Sequence, residues 1–492
     1  MNQIETIVST INGLLFHNVV VGILLLTGLL FTIWTVFGQY RALTHGVSVV
    51  RGKYDDKNDP GAINHFQALS AALSATVGLG NIAGVAVAVT LGGPGAVLWM
   101  WLIGFLGMSL KMTEVMQSML HRNTDDPDNP HGGPMFVVRN EFGKIGLRPL
   151  GTAIGGLFCL TLILSAITGG NMFQSFNVAE VTTQYITDIP RPAIGVFLAI
   201  VVGLVIIGGI KRIGSVAGKI VPLMCGLYLL AGIIVLGLNF DQIGPMLKLI
   251  VLSGLGIEPA TIGGAFLGSS VALAANWGIK RALFSSEAGQ GSSPIAHSAA
   301  KTDEPVREGV VAGLEPFIDT IVVCTVTALV ILSTGAWNRG GEAIFPESAA
   351  IEFIERDAAE AEGKTRYVLQ TPPLPAKTAV AKQTLQLGPD EAGWADGDGV
   401  FMIFEGEDNR DQGSSRATVS GVVTANDDGT LVVTWNAIES TVEPRLVNRE
   451  VYVTYIGAGL TAHAFDRAIP GLGKWLIILA SWLFAVSTMI SW

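Results

Sequence analysis

The sequence predicts an all-α polytopic membrane protein that carries a small, mainly β insert near its C-terminal end. Three observations support this prediction. Only 14% of the 492 residues are charged and 50% are hydrophobic, whereas soluble domains carry about 25% charged residues. Nine apolar runs are long enough for a membrane-spanning helix, which needs roughly 20 residues. One further segment is acidic and polar. The net charge of −10 excludes a nucleic-acid partner from the expected functions, since nucleic-acid binders are normally basic.

The nine predicted helices follow one another along the chain, with one long gap before the last. Their predicted bounds are residues 16–38, 65–90, 94–120, 150–181, 193–210, 213–238, 261–284, 306–333 and 472–492. The first run is preceded by Glu5 and by no Lys or Arg. It is also too long for the apolar part of a signal peptide, so we expect it to remain as a helix.

The basic residues of the loops predict the orientation. With the N-terminus outside, the inner loops 39–62, 121–149, 211–219 and 280–308 hold 15 Lys and Arg. The outer loops that precede the insert hold only Arg191 and Lys248. Because basic residues favour the cytoplasmic side, the N-terminus and the insert are predicted to be extracytoplasmic, in a bacterial-type plasma (inner) membrane.

The acidic segment, residues 337–455, has 20 Asp and Glu against 10 Lys and Arg. Its residues 416–425 and 430–436 are rich in β-branched side chains around an Asn-Asp-Asp-Gly turn signal, which predicts a β-hairpin. We interpret its acidic side chains as a solvated surface rather than a calcium site, because they lack EF-hand spacing. They are Asp396, Asp398, Glu405, Glu407, Asp408 and Asp411. The sequence indicates no partner for this insert.

Two predicted spans contain glycines beside polar residues at membrane depth. The second span carries Gly78-Leu79-Gly80-Asn81, and the seventh carries Asn276-Trp277-Gly278. Glycine weakens a helix interior by about 1 kcal/mol, and broken helices in matching positions of two halves indicate a secondary transporter site. Close helix packing is the alternative explanation for these glycines. Five spans run from the first break to the second, which predicts a five-plus-five inverted repeat behind one extra N-terminal helix.

At these residues the sequence resembles the alanine/glycine:cation symporter family, also called sodium:alanine symporters. The motifs that carry the resemblance are HFQAL (65–69), GNIAG (80–84), GGPGAVLWMW (92–101), GGPM (132–135), WGIKR (277–281), FSSEAG (284–289), PIA (294–296) and FIDT (317–320). The resemblance covers roughly residues 10–335 and 456–492. It implies a fold similar to the bacterial leucine transporter and inward movement of alanine or glycine with Na⁺.

The chain departs from that family in two ways. The insert is much longer than the family's connection at this point, and eight core helices are predicted where the family has ten. We therefore expect the second repeat to be incomplete and the chain to be a C-terminally truncated fragment. The predicted organisation is a transporter core over 1–336, the insert over 337–455, and a continuation of the core over 456–492.

The first break also resembles the broken helix of sodium-coupled neurotransmitter symporters. That resemblance implies that backbone at Thr76, Leu79 and Gly80 faces the substrate carboxylate. It further implies a sodium site formed by carbonyls near Ser74 and Val77 and by the hydroxyls of Ser487 and Thr488. Trp492 would point toward the substrate side chain.

Other polar residues within the spans are further candidates. Gln174 is predicted to hydrogen-bond the substrate, with an interhelical hydrogen bond as the alternative, and Trp277 is predicted to limit the pocket to alanine or glycine. Asp319 needs a cation or a partner, since a carboxylate costs about 2.5–3.5 kcal/mol at the bilayer centre. Two possibilities stay open for it: a second cation site with Asn81, or a pair with a buried Lys or Arg.

The cytoplasmic ends of the spans contain further charged residues. Lys111 and Glu114 are predicted to form a structural pair, and Glu287 to cap or pair within a gate loop. His65 and His297 are not expected to be ligands.

The predicted function is sodium-coupled symport of a small neutral amino acid across the bilayer by alternating access. Na⁺ is the expected coupling ion, with no organic cofactor. The chain contains no nucleophile–base constellation and no P-loop, so an enzyme is not expected. Two alternatives remain open: a membrane sensor that binds an amino acid without transporting it, and an inactive truncated product.

Overall fold

The computed structural model describes residue 13 and residues 18–56, 58–186, 189–258, 260, 263–358, 364–377, 393–406, 416–426 and 429–492. Most of these residues outside the β region are helical. The helices are α1 (Asn18–Trp34), α2 (Gly38–Val50), α3 (His65–Thr76), α4 (Gly80–Gly92), α5 (Ala96–His121), α6 (Pro134–Lys144), α7 (Arg148–Thr183), α8 (Arg191–Ile206), α9 (Gly209–Leu238), α10 (Phe240–Gly254), α11 (Val271–Ser286), α12 (Ser293–His297), α13 (Pro305–Ser333), α14 (Ala458–Ala468) and α15 (Gly473–Ser491).

Several helices have the length and composition of membrane spans. Among the described residues α5, α7, α9, α13 and α15 are long and apolar enough, and the number rises to seven when the bent pairs α1–α2 and α3–α4 each count as one span. α8 is a shorter apolar helix, and α11 has 16 residues. Each of the nine predicted runs contains one of these helices. The chain is therefore a polytopic, mostly helical membrane protein.

Five helices lie where the sequence predicts only loops: α2, α6, α10, α12 and α14. α2 continues from α1 after a bend of 68°, at which Val36 and Phe37 adopt positive φ angles. α10 buries Ile250 and Gly254 and carries the charged Asp241 in its first turn. A helix with one apolar face has a low average hydropathy, so a search for continuous apolar runs misses it.

The second helix break is not where the sequence predicts it. α11 is continuous through Asn276, Trp277 and Gly278, so the predicted break there is wrong. α11 instead ends at Ser286, and a non-helical segment leads to α12. Within that segment Gly289 and Gly291 have φ angles of 81° and 80°, a conformation that glycine adopts without steric cost.

The first break is where the sequence predicts it. α3 begins with a capping box, in which Asn64 and Gln67 exchange side-chain to backbone hydrogen bonds. It ends at Thr76, α4 begins at Gly80, and the two helices meet at 50°. The first turn of α4 is a π-helical segment, Gly80–Gly84. Such turns often occur at functional sites.

Strands occupy the region of the predicted insert. They are β1 (Ala343–Ile344), β2 (Glu352–Ala358), β3 (Thr365–Gln370), β4 (Gly399–Glu405), β5 (Arg416–Ala425), β6 (Leu431–Trp435), β7 (Ile438–Ser440), β8 (Arg445–Leu446) and β9 (Glu450–Val453). One sheet has the order β1-β9-β4-β5-β6 with β8 beside β4, and the other has the order β2-β3-β7.

The predicted hairpin is the antiparallel pair β5–β6, in which Gly421 faces Trp435 and Ala425 faces Leu431. Two of its turn residues, 427 and 428, lie outside the described residues, as do Glu407, Asp408 and Asp411 of the acidic group. The strands enclose their own buried apolar cluster, which includes Trp394 and Met402.

The helices share a second, larger apolar cluster. It contains residues from both sides of the strand region, such as Val77 and Leu79 before it and Phe484 and Ala485 after it. α15 packs against α3, α7 and α9, and α11 packs against α4 and α5. The last helix therefore lies beside the first break although most of the chain separates them in sequence.

Candidate functional site

The first break exposes backbone N–H groups inside the bundle. The Gly78 N–H donates to Asn81 Oδ1 at 2.9 Å, and the Leu79 N–H donates to Gln174 Oε1 at 3.1 Å. All four residues are buried. The N-terminus of a helix carries partial positive charge and attracts anions. The start of α4 is thus a buried donor site. Gln174 makes there the interhelical hydrogen bond that is the alternative to its predicted role, and a contact with substrate stays a prediction.

Asn81 joins this break to two other helices. Its Nδ2 donates to Ser285 Oγ at 2.8 Å, to the Asp319 backbone carbonyl at 3.1 Å and to Cys324 Sγ at 3.4 Å. Asn81 therefore bridges α4, the end of α11 and α13. Asn81 therefore contacts the backbone of Asp319, and the cation site predicted for these two residues stays a prediction.

Three hydroxyl residues meet beside the end of α3. Ser74 Oγ lies 2.6 Å from Ser487 Oγ and donates to the Ser487 carbonyl at 2.7 Å. Thr488 Oγ1 is buried and has no hydrogen-bond partner among the described residues. Hydroxyl and carbonyl oxygens are hard donors, which suit hard cations. This set of neutral oxygens fits Na⁺, and it includes three of the four residues predicted for that ion.

Val77, the fourth of those residues, ends the helical path of α3. Its backbone has φ −80° and ψ 85°, and its side chain is fully buried. The last carbonyls of a helix lack intrahelical donors, so oxygens near Val77 are available to a ligand. Thr76, predicted to face the substrate through its backbone, is the last residue of α3.

Gly78 makes the approach of α15 possible. A Cβ atom at this position would overlap Thr488 Oγ1 and would lie 3.4 Å from Gln174 Oε1. A Cβ at Gly80 would lie 3.3 Å from the Phe284 ring. The two glycines of the break thus admit Thr488 from one side and Phe284 from another.

Trp492 lies at the second break. Its Nε1 donates to Glu287 Oε1 at 3.1 Å, and its ring lies against Gly170, where a Cβ would meet it at 2.6 Å. Glu287 caps α11 in a left-handed conformation, with φ 51° and ψ 21°. Its other oxygen accepts from Ser292 Oγ at 2.5 Å. Glu287 therefore caps and pairs within the loop, as the sequence predicts, and also binds Trp492.

Sequence reasoning did not single out Phe284 for the pocket. Its ring lies edge-on to the ring of Phe173, with 5.2 Å between the centroids. It also lies beside Gly80, and a Cβ atom at Gly169 would be 3.9 Å from it. The sequence indicates Phe284 only through its position in the FSSEAG motif, at the end of α11 and shortly before Gly289. The Ala166–Met172 stretch of α7 is a π-helical segment, which a hydropathy pattern does not indicate.

The structure does not bring Trp277 to this cluster. Its side chain contacts Gly92, and its ring lies 5.4 Å from the Arg281 guanidinium and 6.0 Å from the Lys280 amine. The neighbouring Gly278 serves helix packing, because a Cβ there would overlap the Ala96 carbonyl. These contacts place Trp277 away from the cluster around Gly78 and Gly80, and its role in a substrate pocket stays a prediction. The packing explanation of Gly278 is the one that holds.

Asp319 remains the open case. Its Oδ1 accepts from Thr320, whereas its Oδ2 is buried with no hydrogen-bond partner among the described residues. Lys111 forms an ion pair with Glu315 at 3.3 Å, so the pair predicted between Lys111 and Glu114 is corrected. A helix spacing of three residues allowed that pair, but the buried Glu315 from α13 lies closer to the amine.

Comparisons with known proteins identify the family to which the chain is similar. The model of the sodium:alanine symporter family matches residues 1–356. The sodium/alanine symporter AgcS of Methanococcus maripaludis is 40% identical over 332 residues, which cover 67% of this chain and 71% of that protein.

Two relatives from Bacillus subtilis are each 33% identical. The putative sodium/proton-dependent alanine carrier protein YrbD aligns over 331 residues, which cover 67% of this chain and 65% of YrbD. The probable sodium/glutamine symporter GlnT aligns over 342 residues, 69% and 68% respectively. The helices, the break and the matched residues lead to one conclusion: this chain belongs to the sodium:alanine symporter family, a family of membrane transporters rather than enzymes.

Proposed function

We propose that the protein is a symporter that uses a Na⁺ gradient to move a small neutral amino acid inward by alternating access. The observation that carries this proposal is the meeting of Ser74, Ser487 and Thr488 beside the first helix break. Two of their hydroxyls are 2.6 Å apart, and the third is buried without a partner among the described residues. A cation placed there would give Thr488 Oγ1 a partner beside the hydrogen-bonded hydroxyls of Ser74 and Ser487.

The two breaks supply opposite charges for an amino acid. The N-terminal end of α4 offers partial positive charge to a carboxylate, and the C-terminal end of α11 offers partial negative charge to an ammonium group. Gln174 lies at the first of these ends, where it accepts a hydrogen bond from the Leu79 N–H. Trp492 lies at the second, where it donates to Glu287. We propose a zwitterion with a small side chain as the ligand of these two ends, with Phe284 beside Gly80 as a limit on its size.

The pairing of these breaks supports an inverted repeat like that of the leucine transporter. One break separates α3 from α4, and the other separates α11 from α12. Broken helices with half-helix ends that face substrate and ions are typical of such transporters. The loop charges further support an extracytoplasmic N-terminus and strand region.

Na⁺ couples to substrate through the shared backbone of the first break. The predicted ion ligands lie at the end of α3, and the predicted carboxylate donors lie at the start of α4, so an ion that fixes residues 74–77 orients the donors of 78–80. Inward movement of one Na⁺ across 100 mV releases about 2.3 kcal/mol, in addition to the concentration term. Asn81 and the unpaired Asp319 Oδ2 are proposed as a second cation site.

Uptake of labelled alanine by proteoliposomes tests this function. We expect uptake under an inward Na⁺ gradient and none when choline replaces Na⁺. Unlabelled glycine and glutamine, added as competitors, rank the substrates. Counterflow separates a transporter from a sensor, because a sensor binds alanine without exchanging it across the bilayer. Equal uptake in choline would overturn the Na⁺ assignment, and binding without counterflow would overturn transport.

A further inference from the structure

A cluster of ionisable side chains lies beside the second break, and apart from Glu287 its members take no part in the site described above. α12 packs against α3, α5 and α13. The titratable groups around it are His65 from α3, Lys111 and Glu114 from α5, Arg122 just after α5, Glu308 and Glu315 from α13, and Glu287 from the loop before α12. His297, at the end of α12, is fully buried among them.

Both ring nitrogens of His297 face carboxylate oxygens. Nδ1 lies 2.5 Å from Glu308 Oε1, and Nε2 lies 2.7 Å from Glu315 Oε1. A neutral imidazole has one N–H and one acceptor nitrogen. With a neutral ring, one of these contacts would set a lone pair against a carboxylate. When the ring carries two protons, both nitrogens donate a hydrogen bond to a carboxylate oxygen.

The charges of the neighbouring side chains also indicate that His297 carries a second proton. Glu308 and Glu315 supply two negative charges, and Lys111, which is 3.3 Å from Glu315 Oε2, supplies one positive charge. One additional proton on His297 makes these four buried side chains neutral as a set. Buried charges are stable only when they are paired, and breaking such a pair is strongly destabilising.

His65 connects this cluster to the protein surface. Its Nδ1 hydrogen-bonds Glu308 Oε2, and its Nε2 has no hydrogen-bond partner among the described residues. The nearest acid is Asp55, at 3.9 Å from Nε2 and with a side chain that is 46% exposed. Exposed side chains change rotamer within nanoseconds, so Asp55 can exchange protons between solvent and His65.

We propose that His297 is a proton-binding site that controls the attachment of α12 to α13. Deprotonation of His297 releases one proton to solvent, on the side where Glu308 and His65 lead to the exposed Asp55. One proton leaves the protein, and no other group changes. When His297 has lost this proton, a ring lone pair faces the carboxylate of Glu308 or Glu315. That contact is repulsive, and α12 is released from α13.

This switch lies one loop away from the substrate site. Ser293, on the first turn of α12, donates to Glu315 at 2.8 Å, and the preceding Ser292 donates to Glu287, which binds Trp492. Movement of α12 therefore displaces the loop that holds Glu287. The transport consequence rests on the proposed function, whereas the proton site itself does not.

Nitrogen-15 NMR of the full-length protein labelled at histidine tests the proton site without transport. We expect His297, assigned by its loss in H297Q, to show two protonated nitrogens at neutral pH. A neutral tautomer at that pH would overturn the proposal. H131Q serves as the matched control, since His131 is exposed and its removal should leave the His297 signals unchanged.

Calorimetry in two buffers of different ionisation enthalpy then tests coupling. We expect binding of alanine with Na⁺ to release or take up protons in wild type and in H131Q, and none in H297Q. Equal proton numbers in wild type and H297Q would contradict the coupling. If H297Q does not purify as a monodisperse protein, E308Q replaces it, because loss of that carboxylate also removes the need for the second ring proton. Absence of Na⁺-dependent alanine binding in wild type would contradict the proposed function and leave the NMR result decisive for the proton site.

Discussion

The Oγ atoms of Ser74 and Ser487 lie 2.6 Å apart, although 413 positions separate these residues in the chain. Both are buried, at 1% exposure. Ser74 lies in the last turn of α3 and Ser487 in α15, so this contact joins the first break to the last described helix. A cation bound here would hold the two helices together, which gives sodium a direct means of organising the substrate site.

S487A is expected to lower the apparent Na⁺ affinity of alanine uptake by about tenfold or more. Interactions with a charged group are worth about 1.5–3 kcal/mol, and 1.4 kcal/mol corresponds to a factor of ten. The measurement is the Na⁺ concentration that gives half-maximal uptake in proteoliposomes. S481A is the control, because Ser481 is also fully buried on α15 but is not part of the ion cluster. A similar loss in both variants would show a packing effect and contradict the ion-ligand role.

G78A is expected to abolish most Na⁺-driven alanine uptake. Its Cβ would overlap Thr488 Oγ1, so either α15 or the break must move, and both the proposed ion site and the donors of α4 lose their geometry. G156A is the matched control, since a Cβ at Gly156, a glycine of α7, meets nothing within 4 Å. Initial uptake rates, normalised to reconstituted protein, provide the measurement. Retention of wild-type uptake by G78A would contradict the close approach on which the site depends.

The position of the first break could be predicted from the sequence, but that of the second could not. Two glycines flank Leu79, and there the helix does break. The same reasoning placed the second break at Gly278, which instead allows α11 to pack against Ala96. Glycine permits both a helix break and close helix packing. Which of the two occurs depends on the neighbours that the fold brings to the glycine, and a sequence pattern does not give these. The conformations at Gly289 and Gly291 mark the observed break.

Long-range partners were also beyond the reach of sequence patterns. Ser74, Ser487 and Thr488 were brought together by a resemblance to a family whose helices meet there, not by any spacing in this chain. Lys111 was assigned to Glu114 because the helix places them on one side, yet its partner is Glu315 from another helix. Phe284 lay in a recognised motif, but nothing in the motif indicates that its ring faces Gly80.

W492F and W277F are expected to affect transport differently. W492F removes the indole N–H that donates to Glu287 at 3.1 Å, and should raise the KM for alanine about tenfold, since a hydrogen bond to a charged group is worth about 1.5–3 kcal/mol. W277F should leave the KM unchanged, because Trp277 stacks with Arg281 and Lys280 away from the cluster. Concentration series of alanine at saturating Na⁺ measure both. A raised KM in W277F alone would assign the substrate pocket to Trp277 instead of Trp492.

K111M and E114Q are expected to differ in stability. Lys111 is fully buried and pairs with Glu315 at 3.3 Å, and removal of one partner from a buried pair costs about 3–5 kcal/mol. Glu114 Oε1 is buried without a hydrogen-bond partner among the described residues, so its replacement by a neutral amide should cost little or stabilise the protein. Thermal unfolding of the purified variants in detergent, followed by intrinsic tryptophan fluorescence, measures the difference. If E114Q lost as much stability as K111M, the amine would depend on Glu114 as much as on Glu315, and the pairing observed between α5 and α13 would not be the dominant one.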